Sequence, residues 1–250
     1  MLLKYADDFT LCKSVDKNDS HNNLQSNLSS ITSQSTAASL FLNPSKCVSM
    51  TFSLRKHADP PPLVVNDQLI PQVSNFRYIG VILSSDLKWS EHIQHVCKKL
   101  LQVSFVLRRL KNMCAPQTTL LTILNSCVLP IVTYCSPVIL PGLLDKDFNA
   151  LRRSLKYIAK CCLISLHDVI SLVLKNNFSA CSRMATSILS DATHPLHACF
   201  ALCLSKRPSR RSYVILPSRT SAYRNSLIPY LSRFLTNPDN VIEELRRKLT

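Results

Sequence analysis

Glycine is nearly missing from this chain. Gly80 and Gly142 are the two it has in 250 residues, where average usage would place about 17. Folds whose backbone must wrap phosphate (the dinucleotide fold, the P-loop, the Gly-rich kinase loop) need clustered glycines, and no such cluster exists. Any nucleotide chemistry therefore falls to carboxylates and metal. Acid is scarce as well: 15 Asp+Glu stand against 30 Lys+Arg, giving a formal charge of +15 and a pI near 9.5, which argues against an ordinary acidic cytosolic enzyme. The 11 cysteines contain no Cys-x-x-Cys pair. Their odd number, their place inside apolar helical patterns and the lack of a signal peptide predict reduced thiols packed as small hydrophobes in an intracellular protein, nuclear or cytoplasmic. His194, His197, Cys199 and Cys203 group zinc-ligand types, at a spacing that matches no standard finger.

What is present is a chain with 46% hydrophobic residues, rich enough to bury a core, and an uneven charge. Residues 1–83 carry 7 basic and 6 acidic side chains, whereas residues 84–250 carry 23 and 9. A basic excess on that scale is the usual footprint of a polyanion, nucleic acid before membrane surface. Residues 112–144 hold no charge at all, longer than the ~20 residues of a spanning helix. Pro116, Pro130, Pro137 and Pro141 interrupt that run, so it reads as buried helical pieces without stable membrane association.

The patterning predicts α+β at the N-terminal side and all-α afterwards. Residues 2–5 and 9–12 form a hairpin around Ala6-Asp7-Asp8. A helix follows from about Asp19 on Leu24, Leu28, Ile31 and Ala38. Residues 46–52 read as a strand, Asn66-Asp67 as a two-residue hairpin turn, and residues 76–83 as one more strand. Ser90 caps a helix with Ile93, Val96, Leu100, Leu107 and Leu110 inward. Pro116 opens a second, disrupted at Pro130. A third starts near Asp145, with Phe148, Leu151, Leu155, Ile158 and Cys162 inward. Residues 166–175 and 178–189 read as two further helices. A basic arm follows, carrying Lys206, Arg207, Arg210, Arg211, Arg219 and Arg224 with Tyr213 and Tyr223 between them, and a last amphipathic helix starts near Asn240.

Asp7 and Asp8 put two carboxylates in a tight turn, an arrangement that suits hard divalent cations and is also ordinary turn chemistry. The string around them is more specific. Lys4-Tyr5-Ala6-Asp7-Asp8-Phe9-Thr10-Leu11 resembles the Tyr-Ala-Asp-Asp box of reverse transcriptases of non-LTR (LINE-type, jockey-like) retrotransposons. Leu42-Asn43-Pro44-Ser45-Lys46-Cys47 resembles the segment after the palm helix. Phe76-Arg77-Tyr78-Ile79-Gly80-Val81 is similar to the primer grip, and Leu87-Lys88-Trp89-Ser90-Glu91-His92-Ile93 to the junction into the thumb. Pro130-Ile131-Val132-Thr133-Tyr134 and residues 219–229 look like the tails of the same polyproteins.

The resemblance implies a truncated palm over residues 1–85 (short antiparallel strands plus one helix), a helical thumb over 86–165 and a basic C-terminal extension over 166–250. By it, Asp7 and Asp8 bind Mg²⁺, Tyr5 lies under the primer terminus, and Lys46 serves the departing pyrophosphate. Phe76, Arg77, Tyr78 and Gly80 grip the primer, with Gly80 where another backbone approaches closely or where a strand bulges. The basic faces (Lys98, Lys99, Arg108 and Arg109; Arg152, Arg153, Lys156 and Lys160; Arg210 and Arg211) track the backbone of an RNA template and DNA primer, or of the element's own RNA. In this family the fingers, the first metal-binding aspartate and the nucleotide-selecting segment precede the box, while four residues precede Tyr5 here. The expectation is an RNA-directed DNA polymerase fragment that is inactive alone, with non-catalytic nucleic-acid binding as the alternative and a small membrane protein built around residues 112–144 as a weaker one.

Overall fold

The computed structural model describes residues 2–5, 8–14, 22–52, 61–201 and 217–250. It is mixed α and β, predominantly helical, with short antiparallel strand pairs. The chain divides into two compact units, Met1–Tyr78 with Leu83–Leu87, and Ile79–Ile82 with Lys88–Thr250.

In the first unit, β1 (Leu2–Tyr5) and β2 (Asp8–Leu11) pair in the register Leu2↔Leu11 to Tyr5↔Asp8. Asp8 is thus a strand residue rather than a turn residue. Helix α1 (Asn22–Ala37) has no fully buried side chain among those described; Leu24, Leu28 and Ile31 are half-buried. Its hydroxyls bond back to the preceding turn, Ser29 to Gln25, Thr32 to Leu28, Ser33 to Ser29 and Thr36 to Thr32, which keeps a Ser/Thr-rich helix internally satisfied. It ends where Ser39 takes φ 57°, leaving Ala38 exposed outside it. Strands β3 (Val64–Val65) and β4 (Gln68–Leu69) close on Asn66 and Asp67 at φ 49° and 59°, the type I′ turn expected of that dipeptide.

Residues 46–52 do not form the expected strand. Ser49 alone pairs, in a parallel bridge with Gln72. Its N–H donates to Pro71 O (3.0 Å) and its carbonyl accepts from Val73 N (2.9 Å). The next rung toward Cys47 would need an N–H from Pro71, which proline lacks. The reading of residues 76–83 as one strand is also corrected. They hold two, β5 (Asn75–Tyr78) and β6 (Val81–Ser84), paired through a turn at Ile79 and Gly80 with φ 45° and 82°. Gly80 supplies the left-handed conformation the turn requires. What packs on it is the Tyr134 ring rather than backbone, and the Tyr134 hydroxyl donates to Ile79 O at 2.7 Å.

The helical unit is built on α2 (Ser90–Asn112), whose buried face is His92, Ile93, Val96, Leu100, Ser104 and Leu107, with Leu110 half-buried. Ser90 does not cap it. Its hydroxyl donates instead to Asp147 Oδ2 at 2.9 Å. Then come α3 (Gln117–Ile123), a π-turn over Leu124–Val128 and α4 (Leu129–Thr133). The wider turn carries the chain past Pro130, whose missing N–H ordinarily breaks the α ladder, so the helix continues where a disruption was expected. The break falls later, at Cys135 with φ 52°, before α5 (Ser136–Ile139) and a single 3₁₀ turn ending in Gly142.

Helix α6 (Asp145–Cys162) buries Phe148, Leu151, Leu155, Ile158 and Cys162, the predicted set. Ser90–Asp147 at one end and Lys111 Nζ to Lys160 O (3.0 Å) at the other run α2 and α6 parallel. Helix α7 (Leu166–Ser190) is continuous where two helices were expected. Ser165 and Asp168 cap it reciprocally, and the bond from Ser165 lowers the Asp168 pKa and with it extends the range in which the cap is charged. The break was read at Asn176-Asn177, yet Asn177 is buried and donates to the Tyr230 hydroxyl at 3.3 Å. After α8 (His197–Ala201), α9 (Ser221–Arg224), α10 (Leu227–Thr236) and α11 (Pro238–Leu249) complete one apolar core that runs from Ile93 to Leu249.

The charge-free run contributes Leu120, Leu124, Val128, Leu129, Val132, Ile139, Leu140 and Leu143 to that core. Among the described residues no single helix is long and apolar enough to cross a membrane. Cysteine behaviour is split. Cys161, Cys162 and Cys181 are buried, and burial pushes the Cys162 and Cys181 thiols up to about 11 and about 12, whereas Cys12, Cys114 and Cys127 are exposed and pack as no hydrophobe does.

Candidate nucleic-acid interface

The apolar positions of α6 fix its orientation, and that orientation decides where its cations go. With Phe148, Leu151, Leu155 and Ile158 inward, steps of three and four residues place Lys146, Asn149, Arg153, Lys156 and Lys160 in one exposed row, with Arg152 beside it. The row spans about 21 Å at 1.5 Å per residue. Lys146, Asn149, Arg152, Arg153 and Lys156 line an open depression of about 620 Å³. No ion pair among the described residues neutralises these cations.

The C-terminal helices show the opposite arrangement. Arg233 pairs with Glu244 at 2.9 Å, Arg224 approaches the same carboxylate at 3.8 Å, and Arg246 pairs with Glu243 at 3.4 Å. Arg233 also donates to Arg224 O and Asn225 Oδ1, both at 3.3 Å. Arg224 and Arg233 tie α9, α10 and α11 together, while the Arg246 pair lies within α11. Among the described residues the basic side chains therefore sort into cations that serve the fold and cations left open to a partner, and α6 carries the densest described row of the second kind.

Helix α2 adds to it. Lys98, Arg108 and Arg109 are exposed and Lys99 is half-buried. Burial, with His95 and then Lys99 beside it, lowers the pKa of His92. The neutral His92 ring accepts the Ile82 N–H at Nδ1 (3.2 Å), so Lys99 faces a structural junction as well as solvent. Near the C-terminal end of α2, Arg108 and Lys111 favour the thiolate of Cys161, but burial outweighs them and its pKa is raised.

The N-terminal site residues are placed less completely. Asp7, Arg210 and Arg211 lie outside the described residues, as does Cys203. Tyr5 ends β1 opposite Asp8, and Asp8 is exposed. Lys46 is exposed on the single turn Pro44–Lys46, which Asn43 caps by accepting from Ser45 N at 3.1 Å. Phe76 and Arg77 are exposed and Tyr78 half-buried on β5. Among the described residues no group of three or more His, Cys, Asp or Glu stands together as a metal site. One exposed carboxylate, Asp8, does not by itself compose a magnesium centre, and no catalytic step is assigned to it. His194 and His197 are engaged locally: His194 Nδ1 accepts Leu196 N at 3.1 Å, and His197 Nδ1 contacts Ile188 O at 2.9 Å.

Sequence reasoning missed Lys146 and Asn149, which complete the α6 row. Stepping back from Arg153 by four and then three residues would have found them. It also passed over Leu101 and Phe105, which stand on the outer face of α2, 68% and 52% exposed. No family model, no curated protein and no solved structure matches this chain.

Proposed function

We propose that the chain binds the sugar-phosphate backbone of nucleic acid through α6 and the outer face of α2. The observation that carries this reading is the row of unneutralised cations on α6 that lines the depression. Regularly spaced cations along one exposed helix face suit phosphate contacts, which position a duplex without reading its sequence. The ordered motifs from Tyr5 to Ile93 extend the reading. In it the chain is the C-terminal part of a non-LTR retrotransposon reverse transcriptase, with a palm remnant in the N-terminal unit and the thumb in the helical one. Its partners are an RNA template and a DNA primer. Asp7 and Asp8 are then two of the magnesium-binding carboxylates of the intact polymerase, Lys46 attends its leaving pyrophosphate, and the isolated chain binds without polymerising.

Fluorescence anisotropy with an RNA–DNA hybrid tests the binding. Arg153→Glu combined with Lys156→Glu should weaken affinity at least tenfold at low salt and flatten the plot of log affinity against log salt by about 2 units, at about 0.9 per phosphate contact. No affinity of the wild type at low salt, or an unchanged slope in the double variant, would reject the reading.

A further inference from the structure

The outer face of α2 is not simply basic. Leu101 and Phe105, one turn apart and 68% and 52% exposed, lie along the same side of the helix as the exposed Lys98, Arg108 and Arg109. The Arg108 guanidinium stands 5.5 Å from the centroid of the Phe105 ring. A solvated helix face has no use for two large apolar side chains. Val106, 49% exposed, stands next to them, but the centre of a protein-binding face would be depleted of lysine and other charge, and here the apolar side chains alternate with cations. An aromatic ring with Arg108 and Arg109 one turn away on its C-terminal side and Lys98 two turns away on the other, with no acidic residue between Gln94 and Asn112, matches a different occupant in both charge and chemistry. Unpaired bases present π-faces for the ring, and the phosphates that join them carry the charge that the neighbouring cations complement.

Resting on the backbone-binding reading above, we infer that Phe105, supported by Leu101 and Arg108, is a stacking platform for a single-stranded nucleic acid. The α6 row, by contrast, holds backbone whether or not the bases are paired. Phe105 is half exposed and lies outside the apolar core, so its replacement leaves the core of α2 intact.

The probes are a fluorescein-labelled 15-nucleotide oligothymidylate, an abasic strand of the same length and charge, and a blunt 15-base-pair hybrid duplex. Phe105→Ala should weaken oligothymidylate binding by about fivefold to a hundredfold, the range for loss of one stacked base, and leave abasic and duplex binding unchanged. Phe105→Trp should retain affinity and show indole fluorescence quenched by oligothymidylate and not by the abasic strand, with Trp89 present in both as the constant background. Equal affinity of Phe105→Ala and wild type for oligothymidylate, equal losses on all three probes, or no quenching in Phe105→Trp would each overturn the platform. Failure of the wild type to bind any of the probes would instead remove the backbone reading on which it rests.

Discussion

The two units draw on similar apolar residues and use them differently. In the helical unit, α2, α6, α7, α10 and α11 bury one another's stripes so thoroughly that Leu100, Leu107, Leu155, Ile158 and Val173 are wholly inaccessible. Among the described residues of the N-terminal unit the buried apolar side chains are Val65 and Ile70, while Leu2, Leu3, Phe9, Phe41, Phe52 and Phe76 stay exposed. Geometry accounts for the contrast. An amphipathic helix closes its apolar stripe against a few neighbours, whereas a two-stranded sheet has two faces to cover and needs further strands or a helical layer to do so. Every sheet among the described residues has two strands.

The sharpest test of that contrast is a paired deletion. Leu155→Ala should cost about 2–5 kcal/mol in the helical unit, read as a lowered denaturant midpoint in the fluorescence of Trp89, which belongs to that unit. Val65→Ala should leave that midpoint where it was. Equal shifts would mean that the two regions do not differ in the way their cores suggest.

A smaller effect separates the two glycines. A Cβ on Gly142 would lie 2.9 Å from Trp89 Nε1 and 3.1 Å from its Cδ1, so Gly142→Ala forces a packed indole aside, at about 1–3 kcal/mol. At Gly80 the nearest neighbour, Tyr134 Cε1, would be a comfortable 3.5 Å away. Gly80→Ala suffers only through φ +82°, about 1 kcal/mol. Denaturant titration should rank Gly142→Ala as the more damaging, and the reverse order would show that backbone strain outweighs packing at these sites.

The smallest expected effect is a pH dependence. His92 is buried, and its neutral Nδ1 accepts the Ile82 N–H, with its pKa lowered from 6.5 chiefly by burial and secondarily by His95 and Lys99. Unfolded chains therefore take up this proton at a higher pH than native ones. Stability is complete above about pH 6.5 and declines as pH falls below it toward the lower native value. His92→Gln, which keeps an acceptor and cannot be protonated there, should remove that part of the slope between pH 7 and 5. An unchanged slope in His92→Gln would show that other groups set it.

How much of this could be read from sequence depended on the range of the interaction. Helix α6 was legible residue by residue because its periodicity is local, and the Asn66-Asp67 turn because turn chemistry is local too. The long-range features were opaque. Asn177 looked like a helix break until Tyr230, 53 positions on, supplied a partner for it. Ser90 looked like a cap until Asp147, 57 positions on, accepted its proton. The strand after Lys46 was lost to Pro71 across the bridge. The candidate cations on α6 were legible for the same reason as its core, but whether a cation is already paired is a tertiary fact, and that fact distinguishes Arg153 from Arg233.

One contact in the thin-cored unit carries a consequence for how the chain behaves at high concentration. In the hairpin of β3 and β4, Val64 is the residue whose backbone N–H and C=O point away from its partner strand, and the Gln25 side-chain amide meets both, accepting from Val64 N and donating to Val64 O at 2.9 Å each. The amide copies what another strand would offer and so closes that edge to recruitment by a second copy. Loss of Gln25 would leave that backbone pair open to a strand from a second copy, beside side chains already in solvent, and so favour self-association.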